Sequence, residues 1–248
     1  MTDEEEVIET EEETQEEKEE REAEQQEEII SYSPTYSGEK TCNGTLTCFI
    51  WDIDETLAHT YLTFAQYKKV KDSKMGDLKN RLFTFALPDG YRYWGIRRRY
   101  WDVAVEWSFN NFDVVGIWTA GLRAYATKMT PLLLPPGRKK FDFVFAREQC
   151  VPVGKPPNEV WTKPLSKLCQ VFPQIDGNNT LIADNSPDAI QFNPANLIHV
   201  SDYAPRSSLL GEYDSTLINV IRTVRDMLAK RKKTGKDLID QRKPNTIT

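Results

Sequence analysis

Two aspartates, Asp52 and Asp54, stand two positions apart directly after an apolar run, LTCFIW. Carboxylates at i and i+2 that both project from a strand end can divide labour: one attacks, the other handles protons. Phosphoryl transfer through an aspartyl-phosphate needs such a pair, with a divalent cation to neutralise charge between carboxylate and phosphate. Further along the chain, Thr119 with the neighbouring N–H of Ala120 could hold phosphate oxygens, and Lys163 could offset their negative charge. Asp184 and Asn185 add oxygen ligands for a hard cation. Singly, each has an ordinary reading as a solvated turn, a strand hydroxyl, a helix-start lysine or a cap. Their order along one chain is what points to chemistry.

Five apolar runs stop at polar residues of this kind: LTCFIW before Asp52, FDVVGIW before Thr119, FDFVFA before Arg147, TLIA before Asp184 and NLIHV before Ser201. Short β-branched and apolar runs bounded by turn signals predict buried parallel strands. Helices are expected between them at Trp101 to Asn110, Leu122 to Leu134, Val160 to Val171 and Ser207 to Lys233. Strands alternating with helices predict an α/β fold with a doubly wound, mostly parallel, Rossmann-like sheet, whose ligands sit at the carboxyl ends of the strands. One segment breaks the rhythm. LFTFAL and YRYWGI flank Pro88-Asp89-Gly90, the signal of a β-hairpin insertion after the first strand, with aromatic residues at alternate positions. Between Asp52 and Thr119 lie 67 positions, and between Thr119 and Lys163 lie 44. Neither gap leaves room for a large cap, so an open site is expected.

The chain has 248 residues and a net charge of −6, but Met1 to Ile30 alone carry −14, which leaves +8 on the remainder. Residues 1–40 therefore read as an acidic, disordered leader and linker, residues 41–233 as the folded domain, and residues 234–248 as a polar tail. No window approaches the roughly 18 apolar residues of a membrane span, and the acidic start is unlike a secretory signal. Four cysteines without C-x-x-C spacing predict reduced thiols in an intracellular chain, nuclear or cytoplasmic. They give no zinc site, and no histidine or cysteine is expected near the motifs.

Together the motifs resemble the haloacid dehalogenase superfamily, within it the phosphatases related to the small C-terminal-domain phosphatases of RNA polymerase II. Asp52 to Leu57 reads D-x-D-E-T-L, the family's first motif, and Trp118-Thr119-Ala120-Gly121 resembles its second, with Gly121 where a Ser is usual. Lys163-Pro164-Leu165-Ser166 is similar to the third and Asp184-Asn185-Ser186-Pro187 to the fourth. Phe145-Ala146-Arg147-Glu148 and Phe192-Asn193-Pro194 resemble further family elements. Arg98-Arg99 stands where Arg-Pro is usual, and Pro164 where an Asp follows the motif lysine. The resemblance implies Asp52 as nucleophile, Asp54 as general acid and base, and Thr119, Ala120, Lys163 and Arg147 around the phosphate. It implies Mg²⁺ held by Asp52, the carbonyl of Asp54, Asn185 and, directly or through water, Asp184. Leu122 and Tyr125 match residues that the family places near a bound peptide, and Tyr93 lies on the adjoining hairpin.

The expected activity is thus a Mg-dependent phosphoserine or phosphothreonine protein phosphatase, with the RNA polymerase II tail among the candidate substrates. Two other readings stand beside it. A polynucleotide end phosphatase would use Arg97, Arg98, Arg99, Arg138, Lys139 and Lys140 against a phosphate backbone. A non-catalytic binding module on the same fold would have no need of both aspartates. Asp202, ending the fifth run, is expected to cap the segment that follows it.

Overall fold

The computed structural model describes residues 44–72, 78–156, 158–205 and 213–241. The acidic leader expected at residues 1–40 lies outside these. A five-stranded parallel sheet forms the centre, in the order β10-β9-β1-β5-β6. Its members are β1 (Leu46–Trp51), β5 (Val114–Trp118), β6 (Phe143–Phe145), β9 (Ile175–Asp184) and β10 (Leu197–His199). All five predicted runs are strands, and the fold is the expected doubly wound α/β arrangement. Alternation along β1 explains the layers. Phe49 and Trp51 enter one core with helix α2 (Trp101–Asn111) and helix α5 (Thr216–Thr234). Cys48 and Ile50 enter the opposite core with helix α4 (Leu165–Val171). With both faces covered, the strands read as continuous apolar runs rather than alternating ones.

The insertion is larger than a hairpin. Strands β3 (Leu82–Ala86) and β4 (Arg92–Arg97) pair antiparallel as expected, but β2 (Ala58–Tyr61) joins β4 on its other side, and helix α1 (Phe64–Lys71) follows it. The short AHTY strand carries little periodicity, so it was not legible. Gly95 permits the close approach: a Cβ there would lie 2.6 Å from the His59 carbonyl oxygen and 2.3 Å from the Phe83 ring.

Element ends differ from expectation for local reasons. Helix α3 (Arg123–Met129) starts one residue late, and Pro131, which has no N–H to donate, turns the remainder into a 3₁₀ segment at Thr130–Leu133. The predicted Val160–Val171 helix divides: β8 (Val160–Thr162) pairs with β7 (Val151–Val153), and α4 begins only after Pro164. In the last helix, Tyr213 to Ser215 are not helical, while 207–212 lie outside the described residues. Arg231, Lys232 and Lys233 lie in the last turn of α5, as expected, but the helix does not stop there: it runs to Thr234. Nor does a polar tail begin at 234: Gly235 ends the helix at φ 70°, and Leu238 is fully buried, its N–H donating to Asn179 Oδ1 at 3.0 Å. Residues 242–248 of that tail lie outside the described part. No described helix is long and apolar enough to cross a membrane. Cys48 and Cys150 are free, but Cys169 is in a disulfide, contrary to the expectation of four reduced thiols.

Arg98, which sequence reading offered to a polynucleotide, is 2% exposed. Its Nε donates to Asp214 Oδ2 at 2.6 Å, and Nη1 donates to the carbonyls of Ser201 at 2.8 Å and Thr56 at 3.3 Å. The guanidinium thereby ties the loop after β1 to the loop after β10 and to the approach to α5. Burial would raise the Asp214 carboxyl, but hydrogen bonding and charge from Arg98 outweigh it and hold it below its usual value. A depressed carboxylate contributes stability above its unfolded pKa and loses it as pH falls through the folded one. Asp214→Asn should therefore lower unfolding stability by about 3 kcal/mol at neutral pH, because a buried guanidinium loses its counter-charge. The gap between variant and wild type should close below about pH 4. Urea unfolding at a series of pH values measures both.

Candidate active site

Three parallel strands end side by side at one edge of the sheet and deliver the chemistry. β1 presents Asp52 and Asp54, β5 presents Thr119, and β9 presents Asp184. Register makes this exact in chain terms: Trp51 pairs with Ala183 on one side and Ile117 on the other, so the next residues emerge together. β1 has neighbours reached by connections running in both directions along the chain. That arrangement opens a crevice at the strand ends.

Lys163 comes from the loop between β8 and α4, where Pro164 prevents an earlier helix start. Its Nζ donates to Asp52 Oδ1 and to Asp184 Oδ2, each at 2.6 Å, and all three side chains are 7% exposed or less. Burial would lower the ammonium pKa, but the two carboxylates raise it instead, so Lys163 stays charged. Asp52 is pushed up, to about 8, first by burial and then by Asp184 and Asp54, against the pull of Lys163. The two shifts have different causes: burial comes first in raising Asp52, whereas the two carboxylates raise Lys163 against burial.

Asp54 has a separate set of partners. Tyr125 Oη donates to its Oδ1 at 2.6 Å, and Thr119 Oγ1 donates to Oδ2 at 3.2 Å. Burial raises this carboxyl, with the Tyr125 hydrogen bond acting against it. The two aspartates therefore occupy different environments, one beside an ammonium and one beside neutral hydroxyls, which suits two different roles.

The turn after β5 is held from several sides. Gly121 N–H donates to Thr119 Oγ1 at 2.9 Å, and Arg147 N–H donates to the Gly121 carbonyl at 2.9 Å. Arg147, expected at the phosphate, sends Nε to the Ala120 carbonyl at 2.7 Å and lies over the Trp161 ring. Its nearest task is thus to hold the loop containing Ala120. Asn185 is likewise fixed by residues that sequence reading missed or misplaced. Its N–H donates to Thr56 Oγ1 at 3.2 Å, and its Nδ2 donates to Asp202 Oδ1 at 3.0 Å. Asp202 is therefore a partner of the fourth motif rather than the expected cap. His199 Nε2 lies 3.2 Å from the Asn185 carbonyl oxygen, and Cys150 Sγ lies 3.7 Å from that of Thr119. A histidine and a cysteine thus stand next to the motifs, although none was expected there; neither joins a metal cluster, because among the described residues no three His, Cys, Asp or Glu side chains form one.

The suggested pocket residues separate. Leu122 is 57% exposed at the start of α3, whereas Tyr125 is 5% exposed and committed to Asp54. Tyr93 is half-buried; its ring lies 5.1 Å from those of Phe85 and Tyr125 and 4.9 Å from that of Tyr91. Phe85, Tyr91 and Tyr93 thus form a row of rings beside Tyr125. Tyr125 itself lies on the buried face of α3 with Ala126 and Met129, whereas Leu122 is the extended residue before the helix begins. Of the basic residues offered to a polynucleotide, Arg97 donates to the carbonyls of Leu132 and Asn80, and Arg138 pairs with Glu106. With Arg98 buried as well, half of that set serves internal contacts.

The family model for NLI interacting factor-like phosphatases matches residues 47–234. CTD small phosphatase-like protein 1 of Caenorhabditis elegans is 29% identical over 162 residues, which span 63% of this chain and 27% of that protein. The fission yeast RNA polymerase II CTD phosphatase Fcp1, solved as a variant bound to beryllium fluoride, is 21% identical. It covers 79% of this chain and 54% of its own, with a TM-score of 0.49. Another structure of Fcp1, described as an essential RNA polymerase II CTD phosphatase, is 20% identical, with coverages of 82% and 58% and a TM-score of 0.47. Since the matched span holds every motif from Asp52 to Asn185 and three-quarters of the chain, this protein belongs to the NLI interacting factor-like phosphatase family.

Proposed function

We propose that the chain is a Mg-dependent phosphatase for phosphoserine or phosphothreonine in protein segments, acting through an aspartyl-phosphate on Asp52. One observation carries the reading: Asp52 and Asp54 leave the same strand end, but one meets the Lys163 ammonium and the other the Tyr125 and Thr119 hydroxyls. A charge-paired carboxylate at a switch point suits attack on phosphorus, and a raised carboxyl bonded only to neutral groups suits proton transfer. Asp52 attacks through the oxygen not bound to Lys163. Lys163 meets the phosphoryl oxygens with positive charge, and the turn after β5 offers them the Ala120 N–H. Asp54 protonates the departing alcohol and afterwards takes a proton from the hydrolytic water.

The donor set fits Mg²⁺. Asp52 and Asp184 bring two carboxylates to one ammonium, and the Asn185 amide and the Asp54 carbonyl could add neutral oxygens. With no cluster of three acidic, His or Cys side chains among the described residues to form a cage, carbonyl, amide and water oxygens would complete the shell, as Mg²⁺ prefers. Bound there, Mg²⁺ would supply the missing positive charge, keeping Asp52 ionised and screening the phosphoryl oxygens.

The substrate class rests on the open mouth. Among the described residues only the three-stranded insertion and its short helices stand beside the site, and exposed Leu122 and Tyr91 flank the opening. An extended phosphopeptide can reach such a site, and the relatives' names make the RNA polymerase II tail a candidate. An intracellular setting, nuclear or cytoplasmic, belongs to the same reading. A polynucleotide substrate is disfavoured by the internal use of Arg97, Arg98 and Arg138. A non-catalytic module is disfavoured by the retained, separately tuned aspartates.

Asp52→Asn should abolish turnover of nitrophenyl phosphate while circular dichroism and Tm show a folded chain; wild-type kcat would remove the nucleophile assignment. Excess chelator should eliminate activity and added Mg²⁺ restore it, so full turnover in chelator would refute the metal. Leu122→Ala should raise KM for a phosphoserine peptide several-fold, roughly the loss of one apolar contact. The same variant should handle nitrophenyl phosphate like wild type, because only the peptide reaches that surface; parallel losses would rule out peptide contact at Leu122.

A further inference from the structure

Tyr125 was expected to face a peptide, yet its hydroxyl is directed at the acid. The side chain is 5% exposed, and Oη donates to Asp54 Oδ1 at 2.6 Å, the shortest contact that carboxylate makes. The Thr60 side chain on β2 acts on the same hydroxyl, lowering its pKa against the rise that burial and Asp54 impose. The ring is confined by Tyr93 at 5.1 Å and Phe85 at 6.0 Å. Gly121 completes the fit, since a Cβ at that position would lie 2.7 Å from Tyr125 Cδ1 and force the ring away from the loop. Four elements thus converge to aim one phenol hydrogen at one carboxyl oxygen. Among the described residues, Oδ2 has the longer, 3.2 Å contact with Thr119 Oγ1.

We propose that Tyr125 is a positioning residue for the acid: by fixing Asp54 Oδ1 it leaves Oδ2, beside the phosphate loop, as the oxygen that carries the transferred proton. This rests on the acid role given to Asp54 above. In the first half-reaction an Asp52 oxygen forms a bond to phosphorus and the ester P–O bond breaks. The departing oxygen keeps the electron pair and takes the proton from Asp54 Oδ2, leaving as a neutral alcohol. In the second, water bonds to phosphorus, its proton passes to Asp54 Oδ2, and the Asp52–phosphorus bond breaks to release phosphate. Throughout both steps the Tyr125 hydrogen remains on its own oxygen and holds the carboxyl plane. Free rotation of that plane would turn the proton away from the departing oxygen, and the loss would be felt most by esters whose alcohol needs it.

The test compares kcat/KM for two small esters, phenyl phosphate with a poor leaving group and dinitrophenyl phosphate with a good one, in wild type and variants of confirmed Tm. Asp54→Asn comes first. A loss confined largely to phenyl phosphate supports the acid role, and an equal loss on both esters overturns that role and the present proposal with it. Given a selective Asp54→Asn, Tyr125→Phe should lose roughly tenfold to a hundredfold on phenyl phosphate and less than about threefold on dinitrophenyl phosphate. Equal losses would mark Tyr125 as packing, and no loss on either ester would return it to the peptide pocket. Both results overturn the proposal while leaving the acid role intact. Should Tyr125→Phe not fold, Thr60→Val decides: it keeps the ring and loosens the hydroxyl, so a smaller loss with the same selectivity supports the proposal, and an unselective or absent loss overturns it.

Discussion

One buried ammonium organises this protein. Lys163 Nζ sits between Asp52 and Asp184, carboxylates from the ends of adjacent strands β1 and β9, and is the partner of both at 2.6 Å. Removing an ammonium from water is costly, and so is removing a carboxylate; each is tolerated because the other is there. The arithmetic is nevertheless unbalanced, with two negative charges against one positive and Asp54 adding a third negative group close by. Burial comes first in raising Asp52 and this excess adds to it, and the same excess is what suits the cation and the phosphoryl group of the proposed reaction. A fully neutralised cluster would be more comfortable and less reactive.

The remainder of the structure protects that imbalance. The parallel sheet sets the spacing, because neighbouring strands lie about 4.8 Å apart and their ends bring side chains within bonding range only when the register aligns them. Arg98 closes the loop after β1 from below through the Thr56 and Ser201 carbonyls and Asp214, so the aspartates are not free to relax toward solvent. Glu55, in the middle of that loop, holds a left-handed backbone at φ 57°, a conformation that non-glycine residues adopt only where the surroundings impose it. The Tyr203 N–H to the Glu55 carbonyl, at 2.7 Å, is one such imposition. On the opposite side, Arg147 and Gly121 fix the turn that contains Thr119. The polar groups of these loops are thus bonded largely to one another.

The insertion adds a second level. Its three strands carry Phe85 and Tyr93 to the same wall that holds Tyr125, so this aromatic surface is continuous with the residue bonded to Asp54. The exposed Tyr91 ring and the phenol bonded to Asp54 are thus parts of one packed aromatic cluster. The insertion is a small sheet with two short helices, and Leu122 and Tyr91 are among the exposed apolar residues of the described part.

The amino-acid sequence by itself determined the five strands of the central sheet and their parallel arrangement. Apolar runs of four to seven residues bounded by polar ends read as strands buried on both faces, and D-x-D, Thr-Ala and Asp-Asn follow three of them in the order of the family's motifs. It was much less informative wherever a residue's task depends on a partner far along the chain. Arg98 looked like a solvent-facing cation in an Arg-rich stretch until Asp214, 116 positions away, was seen against it. Tyr125 matched a peptide-contacting position, and only the packing of α3 against the insertion turned its hydroxyl to Asp54. Asp202 read as a cap and became the partner of Asn185. Strand β2 escaped notice because a four-residue edge strand has too few alternations to register, and the Val160–Val171 span was split because a proline and a distant pairing partner outweighed its apolar spacing. Local pattern reports what a segment buries, since burial follows from composition and period. Which oxygen meets which donor is settled by contacts between segments that share no sequence neighbourhood, and those exist only once the chain has folded.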